Sequence, residues 1–171
     1  MFRGFERILL GRDPMDAQQI TQRICGVCPI SHGTASVRAQ EMAYGIRPSH
    51  NGRLLQNLIF VANYLQSHIL HFYHLAALDF VDITAVLSYS GSDRTLKKVK
   101  AWVEGALARK DKYAAAPFLP RYEGDYVKDV DRNATLLRHY LEALEMRRLC
   151  HQMGAVFGAK LPHSTALACT H

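Results

Sequence analysis

Apolar positions recur at helical spacing along most of the chain. Asp13 and Pro14 open the first helix, because a carboxylate can cap free amides and proline suits the first helical position. The pattern predicts helix over 14–24, then a turn through Cys25-Gly26-Val27-Cys28-Pro29. Ser31 reads as the cap of a second helix, 32–44, stopped by Gly45. Pro48 and Ser49 precede a third helix, 50–79, which is apolar on most of its circumference and so calls for surrounding protein. Residues 80–91 are β-branched and irregular and read as a loop. Ser92 or Asp93 caps a fourth helix, with Leu96, Val99, Trp102, Val103 and Leu107 inside and Lys97, Lys98 and Lys100 on the wet side. Pro117, Pro120 and Gly124 mark a long loop. Asn133 caps a fifth helix, 134–157, with Leu137, Tyr140, Leu141, Leu144, Leu149 and Met153 inside and Gly158 as its stop. The expected fold is all-α: a single domain over residues 1–171, built of long buried helices and forming part of a larger helical body.

The run from Leu54 to Leu78 lacks Asp, Glu, Lys and Arg and is long enough to span a bilayer. It also carries Gln56, Asn57, Asn63, Gln66, Ser67, His68, His71 and His74, which are costly to bury in lipid. It reads as a helix buried in protein. A chain of 171 residues is small for helices that need covering all round, and both ends look abrupt, so the chain is expected to be a fragment of something larger. Its composition, 49% apolar and 21% charged, excludes a disordered tail or a collagen-like repeat. The net charge of +6 permits an acidic partner without demanding one. The Lys97–Lys100 cluster is most simply a solvated helix face, so no nucleic-acid partner is expected. Arg3, Glu6, Arg7 and Arg12 follow Met1 too closely for a signal-peptide core.

The informative chemistry lies in Arg23-Ile24-Cys25-Gly26-Val27-Cys28-Pro29-Ile30-Ser31-His32. Two cysteines three apart can place both sulfurs on one metal ion. Cys28 sits near the start of the second helix, whose positive end favours thiolate, and Arg23 adds a cation. His32, four residues on, can ligate the metal or hydrogen-bond a thiolate. Soft thiolates select zinc, iron–sulfur, Cu(I) or nickel-type centres. The motif alone leaves structural zinc, a dithiol redox pair and no metal open. A thioredoxin-type site needs a preceding strand, and structural zinc wants four ligands. Cys150 and the histidine series His68, His71 and His74 read as packed groups, as do Trp102 and the tyrosines.

Arg3-Gly4-Phe5-Glu6, Gly11 to Ala17 and Thr21 to Ser36 together resemble the N-terminal signature of the large subunit of nickel–iron hydrogenases. The similarity continues through Ser67 to Asp79, Ala116 to Tyr122 and Gly158 to Ser164, and looks nearest to the membrane-bound uptake type. The resemblance implies that Cys25 is a terminal nickel ligand and that Cys28 bridges nickel to an iron carrying carbon monoxide and cyanide. It implies that His32 hydrogen-bonds the bridging sulfur and that Glu6 helps hold magnesium. It further implies reversible cleavage of dihydrogen, electrons leaving through iron–sulfur clusters in a small subunit, and a membrane cytochrome b as a further partner. Subunits of this type carry no signal of their own and are exported with the small subunit. The implied location is therefore the periplasmic face of a membrane, with the cytoplasm as the other compartment.

The sequence also departs from that family. The second cysteine pair of the family's ending, Asp-Pro-Cys-x-x-Cys-x-x-His, is absent. Cys169 and His171 echo it as a nickel and a magnesium ligand, with the spacing one residue short. The proton-relaying glutamate would lie upstream of Arg3, the active-site arginine is missing, and Ser67 stands where many members carry aspartate. Two thiolates of the required four are present, so the chain alone is expected to be inactive. The competing expectation is a non-catalytic zinc-binding or assembly module using Cys25, Cys28 and His32.

Overall fold

The computed structural model describes residues 3–110, 118 and 121–169. Among these residues the regular elements are all helical, as the apolar spacing predicts. They are α1 (Phe5–Ile8), α2 (Pro14–Gln22), α3 (Pro29–Tyr44), α4 (His50–Leu70), α5 (Arg94–Arg109) and α6 (Val130–Gly158). Short 3-10 segments cover Ala76–Asp79 and Ile83–Ser88. The chain packs as two compact units. One contains residues up to His68 together with those from Met146 onward, and the other contains Ile69–Glu145.

The first unit closes around Ile30, Val37, Ile59, Leu167 and Cys169, with Phe60 and Leu161 against them. Asp13 caps α2 by accepting from the Met15 amide at 2.8 Å. Helix α3 begins at Pro29, not at residue 32, with Cys28 as its N-cap. Proline pre-sets φ for the first helical position and needs no donor there, so it captures the start from Ser31. Gly45, at φ 67°, closes α3 in the left-handed conformation. At Gly33 a Cβ would lie 2.9 Å from Gln22 Cγ and 3.1 Å from Leu167 Cδ1. The same Gln22 donates from Nε2 to the Ser164 carbonyl at 2.9 Å and has little room to yield. Gly33→Ala should therefore cost about 1–3 kcal/mol by overpacking. A thermal melt read by circular dichroism should show the midpoint fall by roughly 2–12 °C; an unchanged midpoint would mean that the contact relaxes freely.

Helix α4 turns polar residues inward. Gln56, Asn63 and Gln66 are buried beside Ile59 and Ala62, whereas Leu54, Leu55, Leu58, Val61 and Leu65 are exposed. Gln56 Nε2 donates to Glu41 Oε1 (3.0 Å) and to the Ala168 carbonyl (3.1 Å), and buried Glu41 also pairs with Arg53 at 2.7 Å. The surrounding protein expected for this helix thus covers one face among the described residues, on which Gln56, Asn63 and Gln66 lie with Ile59 and Ala62. An apolar stripe of this size favours association. The chain alone should bind a hydrophobic dye and self-associate in sedimentation, and Leu58→Glu with Leu65→Glu should relieve both. No helix of the described residues is long and apolar enough to cross a membrane.

The second unit surrounds Val81, Ile83, Val86, Leu96, Val103, Ala134 and Leu137. The helix expected over 50–79 changes pitch within this unit. After Leu70 the chain forms a π turn, His71–Leu75, whose end brings the Ala76 amide to the carbonyls of His71 and Phe72. Ring packing accompanies the change: Tyr73 meets His139 edge-on at 6.1 Å and His74 meets Tyr140 at 4.6 Å. His74 Nε2 donates to the Tyr140 carbonyl (3.1 Å), so His74 is a packing group, as expected, whereas His68, whose Nδ1 donates to the Tyr64 carbonyl (3.0 Å), is exposed. Asp93 caps α5 through the Thr95 and Leu96 amides. Trp102 and Leu107, expected inside, are partly exposed, because Leu96, Val103 and Ala106 form the covered face.

Helix α6 starts a turn earlier than expected. Asp129 accepts from the Arg132 amide at 2.8 Å and is the cap. Asn133 is buried within the helix, where its amide accepts from the Asp82 amide (2.9 Å) and donates to the carbonyls of Val127 and Asp129. Leu144, Leu149 and Met153, expected inside, are exposed, and Ala143, Cys150 and Gly154 are buried in their place. Small residues permit the closer approach: a Cβ on Gly154 would lie 3.3 Å from Ala62 Cβ. Lys97 and Lys98 are exposed, as a solvated face requires, and Lys100 Nζ donates to the Tyr89 carbonyl at 3.2 Å.

Candidate metal centre

The cysteine turn joins two helices of the first unit. Helix α2 ends at Gln22, the chain turns, and Pro29 starts α3. His32 lies four residues after Cys28 and so projects from the same helical face, one turn further on. Donor atoms of Cys25, Cys28 and His32 all lie within 4.8 Å of one another, and they are the metal-capable group found among the described residues. All three side chains are partly buried. Neither cysteine is in a disulfide.

The two sulfurs are not equivalent. Cys25 Sγ accepts from the amides of Val27 (3.3 Å) and Cys28 (3.1 Å). Burial works against its charged form. The Cys28 thiol, the two amides and the Arg3 guanidinium together outweigh burial and hold the Cys25 thiol below the ordinary range. Burial, donation to Cys25 and the Cys25 charge push Cys28 up to about 11. The sequence suggests the reverse, that the start of α3 favours thiolate at Cys28. The amides that serve a thiolate here point at Cys25 instead, because the turn curls back on the earlier residue. The helping cation is likewise Arg3, which also donates to the Ile24 carbonyl. Arg23 turns away to the carbonyl and side-chain oxygens of Gln19 at 2.6 and 2.9 Å.

This asymmetry predicts ordered alkylation of the metal-free chain. A group whose pKa is lowered reaches its reactive form at lower pH. Iodoacetamide should label Cys25 first near neutral pH, and Cys28 labelling should rise only as pH climbs toward 11. Peptide mass mapping across a pH series checks this, and equal labelling at neutral pH contradicts it.

Among the described residues, the remaining sequence candidates are not part of this group. Glu6 is exposed on the short α1. Cys169 is packed in the first unit's apolar core, its sulfur 3.8 Å from Met15 Sδ. Cys150 is buried on α6, as expected of a packing residue. His171 lies outside the described residues. Two supports escape the sequence reading, Arg3 and Gln66. Gln66 reaches the Val27 carbonyl from α4, and no local pattern marks a contact between positions so far apart.

The model of the nickel-dependent hydrogenase family matches residues 3–170. The chain belongs to this family. This hydrogenase-family chain is 49% identical over 172 residues to the periplasmic NiFeSe hydrogenase large subunit of Desulfomicrobium baculatum, covering 95% of this chain and 28% of that one. It is 39% identical over 183 residues to the quinone-reactive Ni/Fe-hydrogenase large chain of Wolinella succinogenes, covering 98% and 32%. The crystal structure of the reduced, active Ni-Fe-Se hydrogenase from Desulfomicrobium baculatum matches with a TM-score of 0.74 and 48% identity over 99% of this chain and 31% of that chain. The chain therefore spans less than a third of the length of these relatives.

Proposed function

We propose that this chain is a portion of the catalytic large subunit of a nickel–iron hydrogenase, acting in the reversible oxidation of dihydrogen to protons and electrons. The observation that carries the reading is the convergence of Cys25, Cys28 and His32 on one turn in a chain of the nickel-dependent family. The donor set fits the group: two sulfurs and an imidazole suit a soft transition-metal centre. When bound, a nickel–iron centre with carbon monoxide and cyanide on the iron supplies the heterolytic cleavage of dihydrogen. Cys25 would hold the nickel, its thiol in the metal-free pair lying below the ordinary range. Cys28 would hold the nickel and iron as a thiolate, and because its thiol is raised in the metal-free pair, loading would weaken as pH falls. His32, with a ring nitrogen within 4.8 Å of both sulfurs, would orient the Cys28 sulfur.

This half-site needs a second thiolate pair. The core position of Cys169 supports reading it as a packing residue and not as a member of that pair. The single chain is accordingly inactive. Glu6 and His171 are assigned to magnesium on the family resemblance alone. The partners are an iron–sulfur small subunit, which takes the electrons, and a membrane cytochrome b at the periplasmic face.

Metal analysis tests the reading. Protein recovered from its own host should hold nickel and iron, about one of each. Zinc alone would favour the non-catalytic zinc-binding or assembly module built on Cys25, Cys28 and His32. Hydrogen-dependent dye reduction by the isolated, nickel-supplied chain should be nil, and measurable turnover there would contradict the half-site.

A further inference from the structure

Buried Gln66 on α4 sits between two groups of opposite character, the Val27 carbonyl and the Arg147 guanidinium. A carbonyl can only accept and a guanidinium can only donate, so one amide orientation satisfies both. The Gln66 nitrogen donates to Val27 O at 3.0 Å and its oxygen accepts from Arg147 Nε at 3.3 Å. Gln66 is 1% exposed, so neither bond is replaced cheaply by water.

The Val27 carbonyl belongs to the same planar peptide unit as the Cys28 amide. In a trans peptide the C=O and N–H point in opposite directions, and rotation about the C–N bond is blocked. Fixing the carbonyl on one side therefore fixes the direction of the N–H on the other. That N–H is the one that reaches Cys25 Sγ at 3.1 Å. Gln66 thus acts on the sulfur through a rigid plate without touching it, and Arg147 holds Gln66 in the working orientation.

We propose that Gln66, braced by Arg147, is a positioning residue of the cysteine turn, locking the Val27–Cys28 peptide so that the Cys28 amide is aimed at the Cys25 sulfur. The role rests on the reading of Cys25 and Cys28 as metal thiolates. It assigns a purpose to two polar side chains that the cysteine motif leaves unexplained.

The test uses the full chain and cobalt(II) alone as the probe, followed by the sulfur-to-metal charge-transfer band. Gln66→Glu keeps the side chain's size and the acceptor for Arg147 but loses the donor to Val27, and Gln66→Leu loses both. Losing a partner that orients a metal ligand costs about 10- to 100-fold in affinity, and both variants should show that loss. The band should also move to longer wavelength, because a sulfur that loses an N–H donor holds its electrons less tightly. Wild-type affinity and band position in the variants would overturn the inference and leave the metal reading standing. So would weaker binding with an unmoved band, the signature of a merely structural residue. A wild-type chain that gives no such band overturns the metal reading and this inference with it. Should Gln66→Leu fail to fold by circular dichroism, Gln66→Glu decides alone.

Discussion

Cys28→Ser should abolish loading of the nickel–iron centre while leaving the fold intact. Cys28 is partly buried at the N-cap of α3, and its side chain makes no capping bond. Serine keeps the shape and removes the soft donor. Losing even a residue that only orients a ligand costs 10- to 100-fold in metal affinity, so loss of the ligand itself should exceed about 100-fold. Cys25→Ser should lose metal to a similar extent, because the amides of Val27 and Cys28 would then serve an un-ionised hydroxyl. Nickel and iron content measured beside a circular dichroism spectrum checks both variants. Wild-type metal content in either would remove that sulfur from the centre.

Asn133→Ala should be among the most destabilising single changes in the second unit. The side chain is fully buried and joins three backbone groups: the Asp82 amide and the carbonyls of Val127 and Asp129. Alanine leaves the Asp82 amide and the Val127 carbonyl without this partner. Each buried group stripped of its partner costs about 1–3 kcal/mol, so a loss of roughly 3 kcal/mol is expected. For a chain of this size the thermal midpoint should fall by about 6–12 °C. Asn133→Asp keeps the acceptor for Asp82 and loses the donors, so it should fall between the two. A midpoint for Asn133→Ala within a degree of wild type would show that Asn133 is not the clamp described.

Helix capping was the most legible level of the sequence. Asp13, Gly45 and Asp93 end or start helices where their chemistry says they should, since each acts on amides or dihedrals within a few residues. Asn133 departs from that pattern. Asparagine is a good cap, but Asp129 captures the helix start first and leaves Asn133 to a tertiary role. Spacing alone showed which residues share a face and not which face is covered. Leu144, Leu149 and Met153 line up at helical intervals and still face outward. The change to a π turn at His71–Leu75 carries no proline or glycine signal and follows ring packing on His139 and Tyr140.

The metal-capable group itself was legible, because Cys25, Cys28 and His32 are separated by intervals that a turn and one helical step close on their own. Which sulfur carries the charge was not. It depends on the direction of two amides and on Arg3, and a residue string does not encode directions. The brace from Gln66 and Arg147 was hidden for another reason, since it joins α4 and α6 to the turn across long sequence separations.

Infrared spectroscopy tests most directly the proposed role of Cys25 and Cys28 as one half of a nickel–iron centre. Protein assembled in its own host should show bands from iron-bound carbon monoxide and cyanide, and Cys28→Ser should lose them. Zinc-loaded protein without those bands, or bands that survive the loss of Cys28, would contradict the account.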